Sequence, residues 1–115
     1  MYIDGYTYAV PEASKETFIE YAAASAELFK KHGALRVVEC WGDEVPDGKS
    51  TSFPLAVKRK KGEVVMFSWC EWPDKATRDA SFDKIMKDVE EMGLGPMPFD
   101  GKRMIFGGFV PLVDV

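Results

Sequence analysis

The ten residues EVVMFSWCEW, Glu63 to Trp72, constrain the fold of this chain more than any other stretch. Alternation puts Val65, Phe67, Trp69 and Glu71 on one side of a strand, and Val64, Met66, Ser68, Cys70 and Trp72 on the other. Both sides are largely apolar, so both faces of the strand must be covered. A small sheet built around it needs cover on both sides.

The rest of the chain supplies that sheet. YIDGYTYAV (Tyr2 to Val10) alternates with period two and is closed by Pro11, and LRVVECW (Leu35 to Trp41) has apolar groups on each face. Between them Phe18, Ala22, Ser25 or Ala26, and Phe29 recur at helical spacing. Ser14 is the expected N-cap, and Gly33 the glycine that ends this helix near His32. SFPLAVK (Ser52 to Lys58) is expected to be a short extended segment kept at an edge by Pro54. The basic run Lys58 to Lys61, ending in Gly62, is expected to turn it into the Glu63 strand as a solvated hairpin. A second helix follows Pro73 and Asp74, with Phe82, Ile85, Met86, Val89 and Met92 on one face, and stops at Gly93. The Asp100-Gly101 turn then leads to a last strand from about Lys102 to Val110.

This order predicts a single α+β domain over residues 1–115, a ferredoxin-like split β-α-β with an antiparallel sheet and two helices on one face. The other sheet face, rich in aromatics, is left bare. Two such sheets stacked face to face would cover it, so a homodimer is expected. Gly107 and Gly108 in the last strand mark a kink, or a close approach by a partner or ligand.

A formal net charge of −4 opposes a nucleic-acid surface, which needs a surplus of Lys and Arg to neutralise phosphates. No apolar run approaches the ~20 residues of a membrane span, and Met1 opens directly into strand-like sequence, so a cytoplasmic protein is expected. Cys40 and Cys70 lack metal-type or CxxC spacing and are expected to be reduced thiols.

Several ordered stretches resemble the DUF1428 family of YbaA-like small bacterial proteins: YIDGY, HGAL (His32 to Leu35), GDEVPDGK (Gly42 to Lys49), TSFP, VVMFSW, MPFDGKRM and GGF. The resemblance runs along nearly the whole chain. It implies a dimeric α+β barrel, a fold shared with antibiotic-biosynthesis monooxygenases and muconolactone isomerases, and it implies no established activity.

The residues themselves leave chemistry open. GDEVPDGKS is not a phosphate-binding loop: five residues rather than four separate Gly42 from Gly48, and Asp43, Glu44 and Asp47 repel phosphate. His32, the single histidine, is either a base or a partner for free carbonyls at a helix end. Asp4 and Glu39 lie inside strands among apolar neighbours, where a carboxylate is either paired with a cation or suited to proton transfer. Arg103 is the expected cation, and adjacency of the first and last strands suggests an Asp4–Arg103 contact. Tyr6, Trp41, Phe67, Trp69 and Phe106, beside Gly107 and Gly108, form either an aromatic ligand pocket or a core and dimer contact. No metal site or cofactor is expected.

Two functions fit these residues. One is a homodimeric module that binds a small organic molecule or serves structurally. The other is a cofactor-independent monooxygenase- or isomerase-like enzyme, with Glu39 or Asp4 as base and Arg103 steadying an oxyanion.

Overall fold

The computed structural model describes all 115 residues. Strands β1 (Tyr2–Pro11), β2 (Arg36–Trp41), β3 (Glu63–Trp72) and β4 (Ile105–Phe109) form one sheet in the order β2-β3-β1-β4. Every pairing is antiparallel, so this is an α+β fold with β3 and β1 at its centre. The helices are α1 (Lys15–Lys31), α2 (Phe53–Ala56) and α3 (Lys75–Met92), with short 3-10 turns before α1 and before β4. No helix is long and apolar enough to cross a membrane.

Strand alternation divides the sheet into two unlike faces. On one, Phe18 of α1 packs with Tyr8, Val10 and Met66, while Ile85 of α3 packs with Cys70, Trp72 and Ala34. The register sets Tyr8 opposite Met66 and Asp4 opposite Cys70, so both long helices cover this one face. The other face carries Val38, Phe67, Trp69, Ile105 and Phe109. Only α2 lies on it, through Val57 against Ala9 and Val65 and through Phe53 edge-on to Phe67. Phe67 is 51% exposed and Phe109 59%.

Four expectations need correction. Ser52 to Lys58 is not an extended segment: Ser52 caps a one-turn helix, its hydroxyl accepting from the Leu55 amide at 3.1 Å. Pro54 occupies the first turn, where its missing N–H costs nothing. The basic run therefore joins a helix to β3, and is no hairpin. The last strand starts at Ile105, because Gly101–Arg103 forms a 3-10 turn capped by Asp100. On α3, Ile85 is buried and Val89 partly so, whereas Phe82, Met86 and Met92 are exposed.

The two strand glycines make room within the chain. Gly108 faces the helices, and a Cβ there would collide with the Tyr2 phenol that crosses it. Gly107 faces the open side opposite Gly5, and the Phe109 ring lies across both. Such close approach is what glycine in a strand permits.

Candidate functional site

The helix-covered face carries a polar row. Glu39 on β2 stands opposite Ser68 on β3, and Ser68 opposite Tyr6 on β1. The Tyr8 hydroxyl, one step along β1, donates to Glu39 Oε2 at 2.5 Å, and the Ser68 hydroxyl donates to the same oxygen. Burial, and then the Glu39 charge, push the Tyr8 phenol far above its ordinary value. It stays a donor at any physiological pH. No protein group donates to Glu39 Oε1.

That half-engaged carboxylate borders a cleft of about 380 Å³ between α1 and the β2 edge. The walls are Phe18, Ile19 and the Ala22, Ala23 and Ala26 stripe of α1, with Val37, Trp41 and Met66 from the sheet. The small residues of α1 create the space, since longer side chains there would fill the gap between helix and strand. Lys15, in the first turn of α1, closes one side, its ammonium group 5.1 Å from the Trp41 ring centre. The cleft is thus apolar with two charged points, Lys15 and Glu39. Such a cavity, lined by apolar groups with a few convergent polar ones, suits a small amphipathic organic molecule.

The remaining sequence candidates do not join it. Asp4 is buried and paired with Arg78 of α3, whose Nη2 donates to Oδ1 at 2.9 Å, while Trp72 Nε1 donates to Oδ2 at 2.9 Å. Arg103 does not reach Asp4. Its Nη1 and Nη2 each bond a Glu63 oxygen at 2.7 Å, its Nε meets Asp100 at 3.0 Å, and it clamps the connector before β4 onto the start of β3. His32 is the C-cap residue of α1, with Nε2 2.6 Å from Asp88 Oδ2; it ties α1 to α3 away from the cleft. Hydrogen bonds from His32 and then Lys31 hold the Asp88 carboxyl below its usual range.

The aromatic set divides between the two faces. Trp41 lines the cleft; Tyr6 is on the same sheet face but outside that lining, opposite Ser68 on β3, its phenol raised by burial and then by the Asp4 charge. Phe106, opposite Tyr6, shares that face but is exposed at the sheet edge. Phe67, Trp69 and Gly107 point to the open side, while Gly108 lies under Tyr2. These residues therefore form no single pocket. Tyr8, Ser68 and Lys15 were not singled out from the sequence. The available signal was that Tyr8 and Ser68 share the strand phase of Glu39's face once β2 pairs with β3.

Comparison with known proteins agrees along the length of the chain. Residues 1–101 match a family model described as "Protein of unknown function (DUF1428)". The chain is 53% identical over 114 residues to the "Uncharacterized protein YbaA" of Escherichia coli strain K12, covering 98% of this chain and 97% of the relative. The protein of the same description from Shigella flexneri matches to the same extent.

Proposed function

The chain belongs to the DUF1428 family, and from its geometry we propose that it is a homodimeric binding module holding one small organic molecule per copy in the α1–β2 cleft. The observation that carries this reading is the half-engaged Glu39 carboxylate bordering an apolar cleft, with Lys15 on its other side. The ligand has a flat apolar body against Trp41, an acidic group near Lys15 and a hydroxyl that donates to Glu39 Oε1. Strand order β2-β3-β1-β4 with both long helices on one face supports a ferredoxin-like fold. Two copies that stack their open faces cover Val38, Phe67, Trp69, Ile105 and Phe109 and complete a dimeric α+β barrel. Two free thiols suit a reducing cytoplasm.

Calorimetric titration with a panel of hydroxyaryl carboxylates tests the site. Wild type binds at least one member, and Lys15→Met and Glu39→Ala each weaken it tenfold or more. Absence of binding across the panel, or binding indifferent to both substitutions, overturns the reading.

A second reading rests on the unengaged Glu39 Oε1. A carboxylate oxygen open to the cleft is placed to take a proton from an enolisable ligand carbon, as the bonding pair moves onto the ligand oxygen near Lys15. Lys15 then takes the place expected for Arg103. Exchange of the bound ligand's C–H for solvent deuterium, followed by NMR, separates the two: an enzyme catalyses exchange that Glu39→Gln abolishes while binding persists.

A further inference from the structure

Glu39 belongs to the edge strand β2 and is one of its exposed residues. A glutamate in that setting keeps much of its side-chain freedom in water. This one is held. The Tyr8 and Ser68 hydroxyls, reaching from the two central strands, both donate to its Oε2 and draw the carboxylate over the helix-covered face. Both donors are themselves immobile. Ser68 is 1% exposed, and the Tyr8 ring, 4% exposed, is stacked on Phe99 with centroids 4.5 Å apart and tilted against Phe18 at 6.0 Å.

Satisfying two buried hydroxyls does not require this arrangement. A backbone carbonyl serves as well, as it does for Thr7, whose hydroxyl donates to the Met66 carbonyl oxygen at 2.7 Å. A carboxylate could also take one hydroxyl on each oxygen. Here both converge on Oε2, and Oε1 is left without a protein donor beside the cleft.

We infer that Tyr8 and Ser68 are positioning residues of the α1–β2 cleft, which lock Glu39 so that Oε1 is a fixed acceptor reading a hydroxyl on the ligand; the inference rests on the binding reading above. Each hydroxyl has committed its one proton to Oε2, so neither donates to a ligand. The cleft therefore selects a donor at this point and disfavours a ligand that lacks one. The lock also sets affinity. An unpinned glutamate gives up its rotamer freedom when a ligand bonds it, which weakens binding roughly tenfold, whereas a pinned one has given it up on folding.

The test is calorimetric titration of the hydroxyaryl carboxylates, each beside the analogue without the hydroxyl, such as para-hydroxybenzoate beside benzoate. Wild type prefers the hydroxyl by about tenfold or more. Glu39→Ala and the double variant Tyr8→Phe/Ser68→Ala lose most of that preference but bind the hydroxyl-free acid as wild type does, because Lys15 and the apolar walls are untouched. A merely structural role for the two hydroxyls predicts something else: both acids weaken alike in the double variant, and that result overturns the lock. A preference lost in Glu39→Ala but kept in the double variant also overturns it, and leaves the cleft reading standing. Absence of binding across the panel overturns both. Should the double variant fail to fold, Tyr8→Phe, which keeps the ring and its stacking, decides alone, and an unchanged preference refutes the lock.

Discussion

Arg78 grips Asp4 through both carboxylate oxygens: Nη2 lies 2.9 Å from Oδ1, and Nε 3.1 Å from Oδ2. This pair joins α3 to the third residue of β1 across 74 positions of sequence. Trp72 adds a third N–H donor, so both oxygens of the buried carboxylate are engaged within the chain. Removing one partner of such a pair leaves the other charge or the indole N–H uncompensated, which costs about 3 kcal/mol where burial is complete and less where, as for Arg78, water reaches the cation. Asp4→Ala is therefore expected to destabilise the fold by about 2–3 kcal/mol, read as a lower urea midpoint at unchanged m. Ligand binding in the α1–β2 cleft should persist below the unfolding temperature. Loss of binding with stability intact would return Asp4 to the site.

Glu63 and Arg103 set a pH dependence. Hydrogen bonding to Arg103 holds the Glu63 carboxyl below its usual range. Its folded value thus lies beneath the unfolded one of about 4.3. The stabilisation is complete above that value and is lost as pH falls through the lowered folded value. Glu63→Gln should melt below wild type at neutral pH, with the gap closing as pH falls below the unfolded value of about 4.3 and through the lowered folded one. A gap that stays constant across that range would mean the pair contributes nothing through its charge.

The guess that Asp4 meets Arg103 shows how far the sequence can be read. Period-two patterning located β1, and its adjacency to β4 was a correct inference. Register was beyond it. Thr7 pairs with Ile105 and Asp4 with Gly108, so Arg103, in the turn before β4, sits toward the far end of β1. Arg78 was hidden because its partner depends on the roll of α3 over the sheet, which no local pattern encodes. The α2 helix was legible, by contrast: Ser52 followed by Pro54 is a helix-start signal that the strand reading of Pro54 overrode. For Glu39, strand phase groups it with Val37 and Trp41, but the side the helices cover, and its donors Tyr8 and Ser68, follow only from cross-strand pairing.

The strand glycines are separable by substitution. At Gly108 an added methyl collides with the Tyr2 phenol, which Arg78 holds from 5.5 Å. At Gly107 the nearest atoms, of the Phe109 ring, lie at ordinary contact, 3.4 and 3.5 Å. Alanine also lowers the entropy of the unfolded chain, worth about 0.4–1 kcal/mol. Gly107→Ala should be near neutral in stability, whereas Gly108→Ala loses about 1–2 kcal/mol through overpacking. In a Tyr2→Ala background the Gly108 penalty should vanish. Equal penalties at the two positions would show that Tyr2 is not what Gly108 accommodates.

The two thiols report on the dimer interface. Cys70 is buried under the helices, and burial, followed by the charges of Asp4 and Glu71, pushes it up to about 12. It should resist alkylation until the chain unfolds. Cys40 is half-buried on β2 and alternates onto the open sheet face beside Phe67, its register partner. In dilute protein, Cys40 alone should react with a maleimide at pH 8. As concentration rises through the dimer constant, its rate should fall at least tenfold, while Cys70 stays silent throughout. The concentration dependence is the decisive readout, because a thiol hidden only by its own chain reacts at one rate at every dilution. A Cys40 rate that does not slow in a protein shown by sedimentation to be dimeric would place the interface elsewhere than the open face.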